Sequence, residues 1–133
     1  MTELRAMIER MGAAWTGDPA AWDDALAEDV VMETPFAPGG ARTWIGREEW
    51  IAFAGPSRAQ LPVRFDEFEV VAVHETLDPE VAVVEYELGG VITSTGRRDR
   101  ARFIGVLRVR DGKIAAWREY QNTHAILAVL AAG

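Results

Sequence analysis

Leu4, Met7, Ile8, Met11 and Trp15 recur at helical spacing, which predicts an amphipathic first helix with Thr2 as its cap. Gly12 weakens that helix and Gly17 ends it. Asp18-Pro19 signals a second start, with Asp as cap and Pro at the first helical position; this helix turns Trp22 and Leu26 inward and stops near Glu28-Asp29. Val30 to Thr34 reads as a short strand closed by Pro35, and Pro35 to Ala41 as a loop rich in Gly and Pro. Gly46-Arg47-Glu48-Glu49 opens a third short helix carrying Trp50, Ile51 and Phe53. From Val63 the period drops to two. Val63 to His74, Val81 to Thr93, Arg98 to Arg110 and Ile114 to Gln121 predict four strands, joined in part by a Ser94-Thr95-Gly96 turn and an Asp111-Gly112 hairpin. Thr123 caps a last helix with Ile126, Leu127, Val129 and Leu130.

Helices segregated from hairpin-linked strands specify an α+β domain. A long sheet of this kind twists and curls, and three helices on its concave side, with a C-terminal helix beside them, leave a cavity. Residues 1–133 suffice for one domain and show no repeat or linker. Hydrophobic residues make up 49% of the chain, with five Trp and five Phe, enough for a true core rather than disorder.

The net charge is −7, from 14 basic and 21 acidic residues, so a general phosphate-backbone partner is not expected. The chain has no cysteine, hence no disulfide or thiolate chemistry. Charges at Glu3, Arg5, Glu9 and Arg10 argue against a secretory leader, and no apolar run approaches the roughly 20 residues of a membrane span. A cytoplasmic protein without membrane contact is the expectation.

Asp29-Val30-Val31-Met32-Glu33-Thr34-Pro35, Gly46-Arg47-Glu48, and Asp111-Gly112-Lys113-Ile114 followed by Trp117-Arg118-Glu119-Tyr120 stand in an order that resembles the NTF2-like superfamily. That is the cone fold of ketosteroid isomerase, the SnoaL-type polyketide cyclases and limonene epoxide hydrolase. Within its SnoaL-like branch the chain is most similar to the phenazine-biosynthesis A/B proteins, which share counterparts of Asp78-Pro79-Glu80, Val84-Glu85 and Arg118-Glu119-Tyr120-Gln121-Asn122. The resemblance implies a cone around a small organic ligand and a homodimer paired through the convex sheet face. It does not fix the reaction, since the fold hosts many.

Strand alternation places Trp117, Glu119 and Gln121 on one face, with Arg118 and Tyr120 on the other. A carboxyl facing an apolar cavity loses hydration, its pKa rises, and it becomes useful in proton transfer. Relatives carry an acidic residue at the position of Glu119, which is therefore the first catalytic candidate; otherwise it is an edge carboxylate paired with an arginine. Tyr86 is the second, as a donor to a substrate carbonyl. Glu85 and Glu87 share a strand face and form an acid/base pair if that face is concave. The epoxide-hydrolase resemblance instead turns Tyr86 and Leu88 inward, where those enzymes keep an Arg and an Asp. Met32 and Thr34 end the first strand, and Thr34 stands where the isomerases carry their catalytic Asp; Glu33 alternates to the other face. Phe53 occupies the position of a functional His of the phenazine A/B proteins, and Ser57 matches their Ser. Met32, Thr34, Phe53, Ser57, Leu88, Phe103 and Gln121 are the expected substrate-binding residues.

His74 and His124 read as boundary residues with no carboxylate at metal-ligand spacing, so no metal is expected, and no phosphate loop or triad points to a cofactor. Arg97-Arg98-Asp99-Arg100-Ala101-Arg102 is expected to pair across strands with Glu85 and Glu87. The preferred reading is a cofactor-independent enzyme of secondary metabolism, an isomerase, cyclase or condensation catalyst, acting on a hydrophobic or aromatic molecule. The alternatives are a non-catalytic ligand-binding or dimerisation module, and an epoxide hydrolase with rearranged acids, which requires Glu87 in the pocket.

Overall fold

The computed structural model describes residues 2–17 and 21–132. Its elements run α1 (Thr2–Thr16), α2 (Ala21–Ala25), β1 (Leu26–Thr34), β2 (Arg42–Ile45), α3 (Arg47–Gln60), β3 (Val63–Glu75), β4 (Val81–Ile92), β5 (Arg98–Arg110), β6 (Lys113–Tyr120) and α4 (Thr123–Ala132). The six strands form one sheet in the order β2-β1-β6-β5-β4-β3. All neighbours are antiparallel except β1 and β6, which run parallel with Met32 beside Trp117 and Glu33 beside Arg118.

The four-strand meander lies where alternation predicts it. Asp111 and Gly112 close its last hairpin with φ of 53° and 74°, left-handed values that suit an Asp-Gly turn. Three boundaries differ from the sequence reading. Leu26 starts β1 instead of continuing α2, because it pairs with Ile114 across the parallel ladder. β2 had no signal of its own; its four residues become a strand by pairing with β1, Trp44 opposite Met32. α3 continues through Pro56, so Ser57 lies inside the helix and not at its end. The Asp18-Pro19 signal and the Thr2 side chain fall outside the described residues.

Along β4, Ala82, Val84, Tyr86 and Leu88 are buried on the concave face, while the intervening Glu85 and Glu87 turn to the convex side. Met7, Ile8 and Met11 of α1, Trp22 of α2 and Trp50 of α3 cover the concave face and complete the core with Leu107, Ile114 and Trp117. α1 runs unbroken through Gly12, which stands there for a packing reason: a Cβ would lie 2.7 Å from the Phe68 ring. α4 meets the core through Ile126.

Gly105 sits opposite Glu119 in the β5–β6 ladder. A Cβ at this position would stand 3.1 Å from Trp117 Nε1 and 3.2 Å from Tyr86 Cε1, and both rings are fully enclosed. Neither can yield, so Gly105→Ala is expected to cost about 1–2 kcal/mol by overpacking. Urea unfolding checks this through a lower midpoint at unchanged slope; an unaltered midpoint would show that the rings have room.

On the convex side the arginine run forms a ladder over three strands. Arg98 bonds Asp66 at 2.7 and 3.0 Å and also meets Glu67; Arg100 reaches Glu67 and Glu69 at 2.9 and 2.7 Å; Arg102 bonds Glu87 at 3.0 Å. Arg100 can cross from β5 to β3 because the residue between them in β4 is Gly89, flanked in register by Glu67 and Arg100. Glu87 thus pairs as expected, whereas Glu85 meets His74 at 2.7 Å instead of an arginine. His124, the other histidine, is exposed in the first turn of α4.

Candidate functional site

Glu119 is the one charged side chain buried among the described residues, at 4% exposure. β6 carries it to the concave face between Trp117 and Gln121. The Tyr86 hydroxyl donates to its Oε2, and Gln121 Nε2 donates to its Oε1 at 3.0 Å. Burial raises the carboxyl pKa, and the two donated bonds partly offset this by favouring the ionised form. Burial and the neighbouring carboxylate both raise the Tyr86 pKa, so the phenol keeps its proton and acts as donor. The arrangement holds one proton-exchanging carboxyl with a donor on each oxygen, in a water-poor setting.

The aromatic frame around it is dense. Tyr86 is stacked between Phe68 at 5.4 Å and Phe103 at 5.9 Å, the latter tilted by only 11°. Trp117 packs at 5.5 Å on Trp22 and edge-on to Trp15. Thr34 Oγ1, Trp15 Nε1 and Trp50 Nε1 are buried without a hydrogen-bond partner. Buried donors in this condition are places where a ligand acceptor would be welcome.

Two clefts open on the same side and share Trp15, Leu61, Val63 and Phe65. One, of about 140 Å³, lies between the sheet and α4 and includes Leu88 and Phe103. The other, of about 560 Å³, lies between α1, α3 and β3 and includes Trp22, Trp50, Phe53 and Ser57. Leu88, Phe103, Phe53 and Ser57 therefore line clefts, whereas Glu119, Tyr86, Met32, Thr34 and Gln121 line neither. Met32 and Thr34 are buried in β1 beside Trp117, and Arg42 lies over the Phe53 ring at 4.4 Å. Trp15, Leu61 and Phe65, shared by both clefts, were missed as site residues because their helical or strand periodicity marks core and lining alike.

Glu87 faces the convex side, held by Arg100 and Arg102 with its pKa lowered mainly by the Arg102 hydrogen bond. This corrects the rearranged epoxide-hydrolase reading, which needed that carboxyl in the pocket, and it removes Glu85 and Glu87 as an acid/base pair. Among the described residues no cluster of acidic and imidazole side chains could hold a metal ion, and no helix is long and apolar enough to cross a membrane.

Residues 4–117 match the model of the SnoaL-like domain. An uncharacterised PhzA/B-like protein of Pseudomonas aeruginosa is 37% identical over 123 residues, 92% of this chain and 85% of that protein. Among solved structures, a phenazine biosynthesis-related protein of Pseudomonas aeruginosa superposes with a TM-score of 0.77 at 22% identity, covering 98% of this chain and 86% of its own. An epoxide hydrolase of M. tuberculosis, similar to the limonene enzyme, gives 0.71 at 23% identity, with 99% and 92% covered. At these identities the two structures share the fold, which is the NTF2-like cone.

Proposed function

The chain belongs to the SnoaL-like family, and on that premise we propose that it performs acid/base proton transfer on an uncharged carbonyl compound held in the cone. Glu119 as carboxylate removes a proton α to the carbonyl. Once Glu119 has taken the proton it no longer needs the Tyr86 bond, and the Tyr86 hydroxyl turns its single proton from Glu119 to the enolate oxygen. Return of the carbon-bound proton from Glu119 at the same or a conjugated carbon completes an exchange or isomerisation. The observation that carries this reading is the Tyr86–Glu119 hydrogen bond, formed by the one buried carboxyl among the described residues and an enclosed phenol. The step uses side chains alone and needs no cofactor. Gln121 holds the second carboxyl oxygen in position. The protein is further read as a homodimer through the convex face, where Ile104 is 40% exposed.

One observation favours a second reading, a binding module without chemistry: neither cleft reaches Glu119, because the Phe103 ring stands between the smaller cleft and Tyr86. Deuterium exchange at the α-carbon of cyclohexanone, followed by NMR, separates the two. Catalysed exchange that drops about 100-fold or more in Glu119→Gln is the expected result. Exchange at the uncatalysed rate in both proteins would leave the binding module.

A further inference from the structure

The smaller cleft has an unusual wall. Its sheet side is Val63, Phe65, Leu88, Ile92, Ala101 and Phe103, and its roof is the Ala125, Ile126, Val129 and Leu130 face of α4. α4 carries no Asp, Glu, Lys or Arg over its ten positions, and its one basic side chain, His124, is exposed and does not line the cleft. The charged residues at the cleft are Asp99 and Arg100. Arg100 turns its guanidinium to the convex face, tied to Glu67, Glu69 and Glu87, and Asp99 accepts from the Arg100 backbone N–H. An anion entering here would meet a carboxylate and no available cation, and burying it unpaired is prohibitive. The volume, about 140 Å³, is close to that of an apolar protein cavity that takes up a single benzene, with the difference that this one opens to solvent at one side. At the back, Phe103 presents one face toward this space and stacks its other against Tyr86.

We propose that the cavity roofed by α4 binds one compact, uncharged carbon ring, and that Phe103 determines whether a larger ring reaches the Tyr86–Glu119 pair. This deepens the proposed function by naming its ligand class and rests on that reading only for what happens after binding. Leu130, 44% exposed, forms the rim through which such a ring enters.

Methyl NMR titration of the whole protein with benzene and, separately, sodium benzoate tests it. Benzene is expected to shift the methyls of Leu88, Ile92, Ile126 and Val129 saturably, with benzoate at least tenfold weaker. Val129→Trp, which fills the space, should abolish the benzene response while retaining the wild-type melting temperature. Phe103→Leu should bind indole at least tenfold tighter than the wild type and make the Glu119 carboxyl resonance respond to it. Non-saturable shifts, a response centred on Ile51 and Ala54 of the other cleft, or equal affinity for benzoate would overturn the site. Unchanged indole affinity in Phe103→Leu would overturn the role of Phe103. Benzene binding should persist in Glu119→Gln, so failure of the proton chemistry and failure of this site are read separately.

Discussion

Trp117→Ala should lower the unfolding free energy by about 3–5 kcal/mol, a large share of the ~5–15 kcal/mol that holds a domain together. Trp117 is 1% exposed, packs on Trp22 and Trp15 from two helical segments, and shares with Tyr86 the space that Gly105 leaves open. Removing the indole deletes the ring on which the helical layer meets β6, and surrounding aromatics this large cannot collapse into the void. Urea unfolding followed by circular dichroism measures the loss, with the slope retained. A cost below about 1 kcal/mol would mean that the core relaxes around the site, contrary to close packing. In the same variant water gains access to Glu119, so its carboxyl should titrate nearer to its ordinary value.

The second large effect is on pH dependence. Burial raises the Glu119 pKa from its ordinary 4.5, so across the window from that value up to the native one the folded protein holds a proton that the unfolded chain has released. Stability from this group is therefore greatest below the window and falls as pH rises through it, by at most about 1.4 kcal/mol per pH unit. Above the native value the contribution is flat. Asp66 and Glu87 act in the opposite direction: hydrogen bonds from Arg98 and Arg102 lower their values, and what they contribute is lost as pH falls. Glu119→Gln leaves those exposed pairs alone, so the difference in unfolding free energy between wild type and variant isolates the buried carboxyl. It should decline with rising pH across the window. A difference independent of pH would show that Tyr86 and Gln121 fully offset burial.

The sheet face of Glu119 was legible because β6 alternates from Ala115 to Tyr120; the irregularity nearer the turn, where Ile114 and Ala115 are both buried and the register against β5 shifts, lies before that stretch. For Tyr86, alternation says only that it opposes Glu85 and Glu87; which of the two sets faces inward comes from the resemblance to the epoxide hydrolases, and the buried Val84, Tyr86 and Leu88 settle it. Two things were illegible for a common reason, dependence on partners far away in the chain. Arg42 to Ile45 carries too few residues to show a period and is a strand only beside β1. The stacking of Phe103 on Tyr86, which sets how a ligand could approach the carboxyl, arises from the β4–β5 register and the absence of a side chain at Gly105. Gly12, which reads as a weakness in the first helix, is a position where a neighbour, the Phe68 ring, needs the space.

The parallel pairing of β1 with β6 joins segments some eighty residues apart, while the β3-to-β6 meander is stitched by neighbours. During synthesis the N-terminal third emerges long before its partner strand exists. Closing the sheet is then the slow step, gated by loop-closure entropy, and until β6 arrives β1 presents an unpaired apolar edge. Nascent chains stalled before Lys113 should therefore be the species that chaperones hold and proteases find.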